Sequence, residues 1–131
     1  MVLIDSSVWI EFLRRPDEEI GRSLYALLSE NQAGIVGIVV AEVLQGARSQ
    51  GDYDKLRRGF YAARYVEMNR VVWERAGRLA MDMKSAGTPV ALTDLAIAAT
   101  AIDGQHKVFT LDSDFKRVPD LNLYDWTDAN A

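Results

Sequence analysis

Short apolar runs that stop at an acidic residue are the feature that most constrains this fold. The chain begins with Val2–Ile4, which ends at Asp5, and the run 107–111 ends in the same way at Asp112. Short segments that are apolar at consecutive positions are typical of strands buried on both faces of a parallel sheet. In such sheets, ligands bind at the carboxyl ends of the strands. Asp5 and Asp112 are therefore candidates for a functional site at one edge of a sheet.

Amphipathic helices are expected between these strands. Pro16 ends the first helix, Gly87 stops the longest one, and Thr93 is expected to be the N-cap of the last. The alternation of strands and helices predicts an α/β fold with a mainly parallel sheet, in a single domain over residues 1–131. The pattern predicts strands over 2–4, 35–39, 65–68, 107–111 and 121–124, and helices over 7–14, 20–28, 40–47, 52–63, 72–83 and 94–102.

Composition restricts the classes of site. The net charge of −4 counts at first sight against a nucleic-acid binder. The absence of cysteine excludes disulfides and thiolate metal sites. No apolar run is long enough to cross a membrane and the N-terminus carries no export signal, so a cytoplasmic location is expected. Basic residues that could contact phosphates, or form an ordinary solvated helix face, are Lys55, Arg57, Arg58, Lys116 and Arg117.

Acidic residues in apolar surroundings are the strongest functional candidates. Each has an ordinary structural alternative: Asp5 and Asp94 as helix-start residues, Glu42 as a solvated helix residue, and Asp112 and Asp114 as turn residues. The structural alternatives are less convincing when the acids are considered together. An isolated buried charge is costly, so acids in apolar surroundings are expected to belong to a polar site. If the acids converge at one sheet edge, their repulsion raises some of their pKa values unless a cation neutralises them.

A set of oxygen donors without cysteine or paired histidine suits Mg²⁺ or Mn²⁺. Such an ion lowers the pKa of bound water and stabilises charge on a phosphodiester oxygen, so phosphoryl chemistry is the best match. His106, the only histidine, is expected in an exposed loop, which argues against a Ser-His-Asp triad, and no nucleotide-binding glycine motif is present. A haloacid-dehalogenase-type phosphatase would need a second Asp where Ser7 stands.

Four motifs in order resemble those of PIN-domain ribonucleases, and most closely the VapC toxins of type II toxin–antitoxin systems. They are VLIDSSVWIEFL, VVAEVLQGAR, GTPVALTDLAIAATA and VFTLDSDFKRVPDLNL, and together they span nearly the whole chain. The resemblance implies a three-layer α/β/α PIN-like domain and an Mg²⁺- or Mn²⁺-dependent endoribonuclease that cleaves structured RNA such as tRNA. It also implies a homodimer and a VapB-like antitoxin partner.

The resemblance also implies roles for individual residues. Ser6, Ser7 and Thr110 would be supporting polar residues, and Asp114 would either lie next to the metal ligands without binding the ion or substitute for the fourth acid. The acids that would bind metal and act in catalysis are Asp5, Glu42, Asp94 and Asp112.

Two other functions stay open. One is a PIN-domain RNA-processing nuclease without an antitoxin. The other is a non-catalytic PIN-like module that binds RNA or protein, which would be expected to have lost acids that are all present here. For an antitoxin, we expect a basic side chain near the acids and an apolar segment near Trp9 and Phe12, although helical spacing favours the core for these two side chains.

Overall fold

The sheet is parallel throughout, and this confirms the predicted fold class. The computed structural model describes residues 1–129, which contain four strands. These strands are β1 Val2–Ile4, β2 Ala33–Val36, β3 Arg64–Val66 and β4 Lys107–Phe109, in the spatial order β3-β2-β1-β4. In the register, Leu3 of β1 lies opposite Gly34 of β2 and Val108 of β4. The strands that precede Asp5 and Asp112 are therefore neighbours, although β4 ends at Phe109, two residues before its predicted end.

Helices cover both faces of the sheet. The connections from β1 through β2 to β3 run one way across the sheet, whereas the connection from β3 to β4 returns across it. Because such crossovers are right-handed, the helices of the return connection lie on the opposite face, which gives three layers. The helices are α1 Ser6–Arg14, α2 Glu19–Ser29, α3 Gly37–Gln45, α4 Gln50–Ala62, α5 Arg70–Ser85, α6 Leu92–Gly104 and α7 Trp126–Ala129, with a 3₁₀-helix at Ser113–Arg117.

The predicted strand over 35–39 is wrong at its carboxyl end. The strand stops at Val36 and α3 begins at Gly37, three residues earlier than predicted. A β-branched apolar run fits a buried strand and a buried helix equally well, so its periodicity cannot locate the boundary. Tertiary packing decides it: Val39 and Val43 are both buried on α3, and a Cβ at position 37 would lie 2.8 Å from the Tyr65 hydroxyl oxygen.

Other predicted boundaries also differ. α6 begins at Leu92, so Thr93 lies within the helix and is not its N-cap. Asp94 in the first turn supplies a favourable negative charge at this helix start without a hydroxyl cap. The strand predicted over 121–124 is only a single bridge between Leu123 and Val108, because the chain turns into α7 immediately afterwards.

Large buried side chains from α1 and the strands form the main core. Trp9 is fully buried and packs edge-on against Phe60 of α4, with 5.0 Å between ring centroids. The core alternative for Trp9 is therefore confirmed, and a docking segment has no access to its ring. On the other face, α5 and α6 pack through small residues, with Ala76 against Ala96 and Ala99 in one cluster. Within residues 1–129, no helix has both the length and the apolar character needed to cross a membrane.

Candidate active site

Asp5 is held at the junction of β1, β4 and α1. Its backbone N–H donates to the Phe109 carbonyl oxygen at 2.9 Å, so the carboxyl ends of β1 and the neighbouring edge strand β4 are joined. The side chain is buried, and its Oδ2 accepts hydrogen bonds from Thr110 Oγ1 at 2.7 Å and from Ser7 Oγ at 2.9 Å. The other oxygen, Oδ1, has only a long contact of 3.4 Å with Ser6 Oγ. Two hydroxyl donors therefore compensate one oxygen of a buried carboxylate and leave the other available.

The same hydroxyl groups also fix the loop that follows β4. Ser7 Oγ accepts from the Leu111 N–H at 3.1 Å, and Thr110 Oγ1 accepts from the Asp112 N–H at 3.0 Å. Each hydroxyl thus donates to Asp5 and accepts from the loop backbone. The polar residues expected to support the site are brought to Asp5, with Ser6 making the weakest contact.

Glu42 and Asp94 approach Asp5 from two different helices. Burial raises the pKa of the Glu42 carboxyl group, and the charge of Asp5 raises it further. One Glu42 oxygen, Oε1, is buried and lacks a hydrogen-bond partner among the described residues. Such an orphaned acceptor is costly unless a proton or cation satisfies it.

Asp94 shows the strongest electrostatic effect of the site. Burial, followed by the charges of Asp5, Asp112, Glu42 and Asp114 in that order, raises its pKa from 3.8 to about 6. Five carboxyl groups from four segments of the chain therefore share one electrostatic environment at the carboxyl edge of the sheet. This is the convergence that the strand-end positions predict.

The two candidates for the fourth acid have different surroundings. Asp112 is exposed, and its Oδ1 accepts from the Asp114 N–H at 2.9 Å, so it also caps the 3₁₀-helix. Asp114 forms an ion pair with Arg117 at 3.2 Å. Because Arg117 already neutralises part of the Asp114 charge, Asp112 stays our choice for the fourth acid.

The acids do not form a ready-made ligand cluster. Among residues 1–129, no group of three Asp, Glu or His side chains is placed so that it could hold a metal ion as it stands. The donor chemistry nevertheless fits a hard divalent cation, because Glu42 Oε1 has no hydrogen-bond partner among the described residues, and because burial and the neighbouring carboxylates raise the pKa of Asp94. The oxygen donors are assembled in one region, but their side chains would have to move to share an ion.

The basic residues expected to bind RNA do not lie on one surface. Lys55 lines a cavity of about 420 Å³ between α1, α3 and α4. Arg57 lines a different, mostly apolar cavity and stacks 5.1 Å from the centroid of the Tyr61 ring. Arg58 is exposed on the same helix.

At the acidic edge of the sheet, Lys116 lines a third cavity together with Asp112. Arg117 is occupied by its ion pair with Asp114. The five predicted cations therefore belong to separate parts of the surface, and their role in RNA binding stays a prediction.

Sequence reasoning missed four side chains around these cavities. Arg14 and Arg48 line the same cavity as Lys55, although they come from a helix end and a loop. Tyr124 and Trp126 line the cavity beside Asp112. In the sequence, only the two aromatic residues of the segment YDW could have pointed to this cavity. Their role as cavity lining becomes visible only from the packing of this segment against β4.

His106 also differs from expectation. It immediately precedes β4 and is only partly exposed, with its Nδ1 3.4 Å from the N-terminal amine of Met1. Burial lowers the pKa of its imidazole, and the nearby amino terminus and Arg64 lower it further. No acid of the site contacts it through a described hydrogen bond, so a triad around His106 finds no support.

Comparison with known proteins agrees with this architecture. The family model for the PIN domain matches residues 2–121. No curated protein sequence matches the chain significantly. Among solved structures, VapBC2 from Rickettsia felis bound to a promoter DNA fragment is similar over 95% of this chain and 98% of that chain, with a TM-score of 0.82 and 22% identity.

Two further structures are similar. DNA-bound VapBC from Salmonella typhimurium covers 95% of this chain and 97% of its own, with a TM-score of 0.84 and 21% identity. FitAcB from Neisseria gonorrhoeae covers 97% and 99%, with a TM-score of 0.76 and 22% identity. At sequence identities this low, the similar structures support the fold alone. The family assignment rests on the PIN-domain model, which covers most of the chain. The chain therefore belongs to the PIN domain family.

Proposed function

We propose that this protein is a VapC-like toxin, an endoribonuclease that depends on Mg²⁺ or Mn²⁺. The observation that carries the proposal is the convergence of four carboxylates on Asp94 at the carboxyl edge of a PIN-domain sheet. The substrate class is structured RNA of the translation machinery, such as tRNA, in the cytoplasm. A VapB-like antitoxin partner is part of the proposal and is supported by the VapBC complexes among the similar structures. A homodimeric state is proposed with it from the resemblance of the sequence motifs alone.

Asp5, Glu42, Asp94 and Asp112 would hold the metal ion. When bound, such an ion lowers the pKa of a water molecule and stabilises charge on the phosphodiester oxygen. Thr110 and Ser7 fix Asp5 through Oδ2 and leave Oδ1 free for an additional ligand. This anchoring orients one carboxylate before any ion arrives.

Protons and cations compete at Glu42 and Asp94. The raised pKa of each carboxyl group means that it binds a proton more readily than an ordinary acid does. Ion binding requires the carboxylate forms, so we expect activity to rise with pH as Asp94 loses its proton near pH 6.

The proposal is tested by RNA cleavage with purified protein in Mg²⁺ and in EDTA. We expect cleavage by the wild-type protein in Mg²⁺ only, and no cleavage by Asp94→Asn. The matched control is Asp17→Asn, which changes an exposed loop acid outside the acidic site and should keep full activity. Equal cleavage by Asp94→Asn and wild type, or cleavage that persists in EDTA, would overturn the assignment.

The toxin role is tested separately by inhibition. An antitoxin that covers the acids with an Arg or Lys side chain would compete with metal and RNA, because a guanidinium pairs well with carboxylates. A purified complex should need much more Mg²⁺ than the free protein for cleavage, or should be inactive. Equal rates at equal Mg²⁺ would contradict inhibition at the active site.

A further inference from the structure

A cavity of about 360 Å³ opens at one side of the proposed acidic site. Thr110 and Asp112 form one wall, so the cavity is continuous with the acidic site. Its volume is within the range of small-molecule sites in proteins. The remaining lining comes from the loop after β4 and from the segment that leads into α7, namely Leu111, Ser113, Lys116, Leu123, Tyr124, Asp125 and Trp126.

Two aromatic residues of this lining pack against a buried aromatic ring. Trp126 stacks on Phe109 with an interplanar angle of 22° and 5.5 Å between centroids. Tyr124 contacts the same Phe109 ring at 5.1 Å. Phe109 is fully buried in β4, and both aromatic side chains above it are partly exposed. An aromatic surface fixed in this way suits stacking of a nucleobase, since every base presents a π-face.

Backbone hydrogen bonds hold the aromatic segment against β4. The Tyr124 N–H donates to the Val108 carbonyl oxygen at 2.8 Å, and the Val108 N–H donates to the Asn122 carbonyl oxygen at 3.0 Å. The Tyr124 phenol is protonated at neutral pH, as tyrosines ordinarily are, so its hydroxyl can donate a hydrogen bond, and burial raises its pKa further. The cavity wall is therefore built into the fold and is not a loose tail.

A cation lies on the same lining. Lys116 is exposed in the 3₁₀-helix, and no carboxylate of the described residues lies within ion-pair distance of it. Its neighbour Arg117, by contrast, is paired with Asp114. An unpaired ammonium group beside an aromatic surface matches the two parts of a nucleotide, with the phosphate on the lysine and the base on the rings.

We propose that this cavity binds the ribonucleotide next to the scissile phosphate, with its base against Trp126 and Tyr124 and its phosphate against Lys116. The inference rests on the proposed nuclease function and assigns a substrate subsite to it. Because Asp112 lines the cavity and also interacts electrostatically with Asp94, a nucleotide bound there would bring its adjoining phosphodiester close to the acids.

The test is nucleotide binding in EDTA, where cleavage cannot occur. The probes are the four ribonucleoside 5′-monophosphates, and the signal is quenching of Trp126 fluorescence in a Trp73→Phe background. This background removes the partly exposed Trp73, while Trp9 is fully buried and shielded from the probe. We expect saturable quenching by at least one nucleotide, since stacking of a base on an indole brings the two rings into contact.

Two variants locate the site. Tyr124→Leu keeps apolar bulk against Phe109 and should weaken nucleotide binding about tenfold, as expected for the loss of a base-stacking surface. Lys116→Ala should weaken it about fivefold and reduce its salt dependence, because one phosphate contact is lost. The matched control is Lys84→Ala, which removes an exposed lysine from the end of α5 and should leave binding unchanged.

The outcomes separate this inference from the proposed function. If nucleotides do not quench saturably, or if Tyr124→Leu and Lys116→Ala bind them as well as the parent protein does, the subsite is wrong while Mg²⁺-dependent cleavage still stands. If nucleotides bind as expected but the wild-type protein never cleaves RNA, the nuclease function is wrong. Circular dichroism of each variant verifies that the fold is retained.

Discussion

Asp5 and Asp94 are the same side chain at the same edge of the sheet, yet their surroundings are opposite. Asp5 is buried among hydroxyl donors, which provide hydrogen bonds to one of its oxygens. Asp94 lies among four other carboxyl groups, and together with burial they raise its pKa to about 6. The difference shows that the site combines one acid anchored by hydrogen bonds with other acids whose charged form is unfavourable until a proton or cation neutralises it.

The largest expected effect comes from replacing each of these two acids by its amide. Asp5→Asn and Asp94→Asn should each reduce RNA cleavage by about 100-fold or more, since each removes a proposed metal ligand. Their effects on the unfolding free energy without metal should differ in sign. Asp94→Asn relieves repulsion and should add about 1 kcal/mol, whereas Asp5→Asn weakens charge-assisted hydrogen bonds and should cost about 1 to 2 kcal/mol.

Chemical denaturation in EDTA measures both stabilities, and Asp17→Asn serves as the control for a lost surface charge. A change of the same sign in the two amide variants would contradict the distinction between an anchored and a repelled acid.

The anchoring of Asp5 can be broken without touching a carboxylate. Thr110→Val removes the hydroxyl that donates to Asp5 and accepts from the Asp112 N–H, and it keeps the side-chain shape. We expect a loss of about 1 to 3 kcal/mol in unfolding free energy, because buried polar groups are left unsatisfied.

Ser6→Ala is the matched comparison for this hydroxyl deletion. It removes only the 3.4 Å contact, so it should change stability by less than about 0.5 kcal/mol. Equal losses of unfolding free energy in Thr110→Val and Ser6→Ala would contradict the conclusion that the short hydrogen bond from Thr110 anchors Asp5 more strongly than the long contact with Ser6.

A smaller effect than the loss from Thr110→Val is expected for the pH dependence of stability. The pKa of Asp94 is raised on folding, so its proton stabilises the folded state fully below pH 3.8 and this contribution is lost as the pH rises through about 6. After allowance for partial exposure, the contribution is about 1 to 2 kcal/mol.

Denaturation of wild type and Asp94→Asn in EDTA at pH 4, 5, 6 and 7 measures this contribution as the difference between the two curves. Wild type should lose stability relative to the variant as the pH rises, and Mg²⁺ should reduce that loss at pH 7. A constant difference from pH 4 to pH 7 would mean that folding does not raise the pKa of Asp94.

Prediction from sequence succeeded where one local pattern had one structural meaning. The apolar run Val2–Ile4 is short and stops at an acid, which favours a buried strand, and the repeat along α5 matches a helix that ends before Gly87, whose φ is +79°. Prediction failed at α3, where a β-branched run fits both a strand and a helix.

Sequence by itself determined the alternation of strands and helices, the parallel sheet and the candidate acids, because strand ends and apolar neighbours are local features. Only the tertiary structure decided how the acids differ in their hydrogen bonding and in their pKa values. The hydrogen bond from Thr110 to Asp5 joins residues 105 positions apart, and the pKa of Asp94 depends on charges from several separate segments. The aromatic cavity beside Asp112 likewise exists only because the chain after Leu121 returns to β4. Hydrogen bonding and electrostatic interactions depend on distance in space, which periodicity along the chain does not specify.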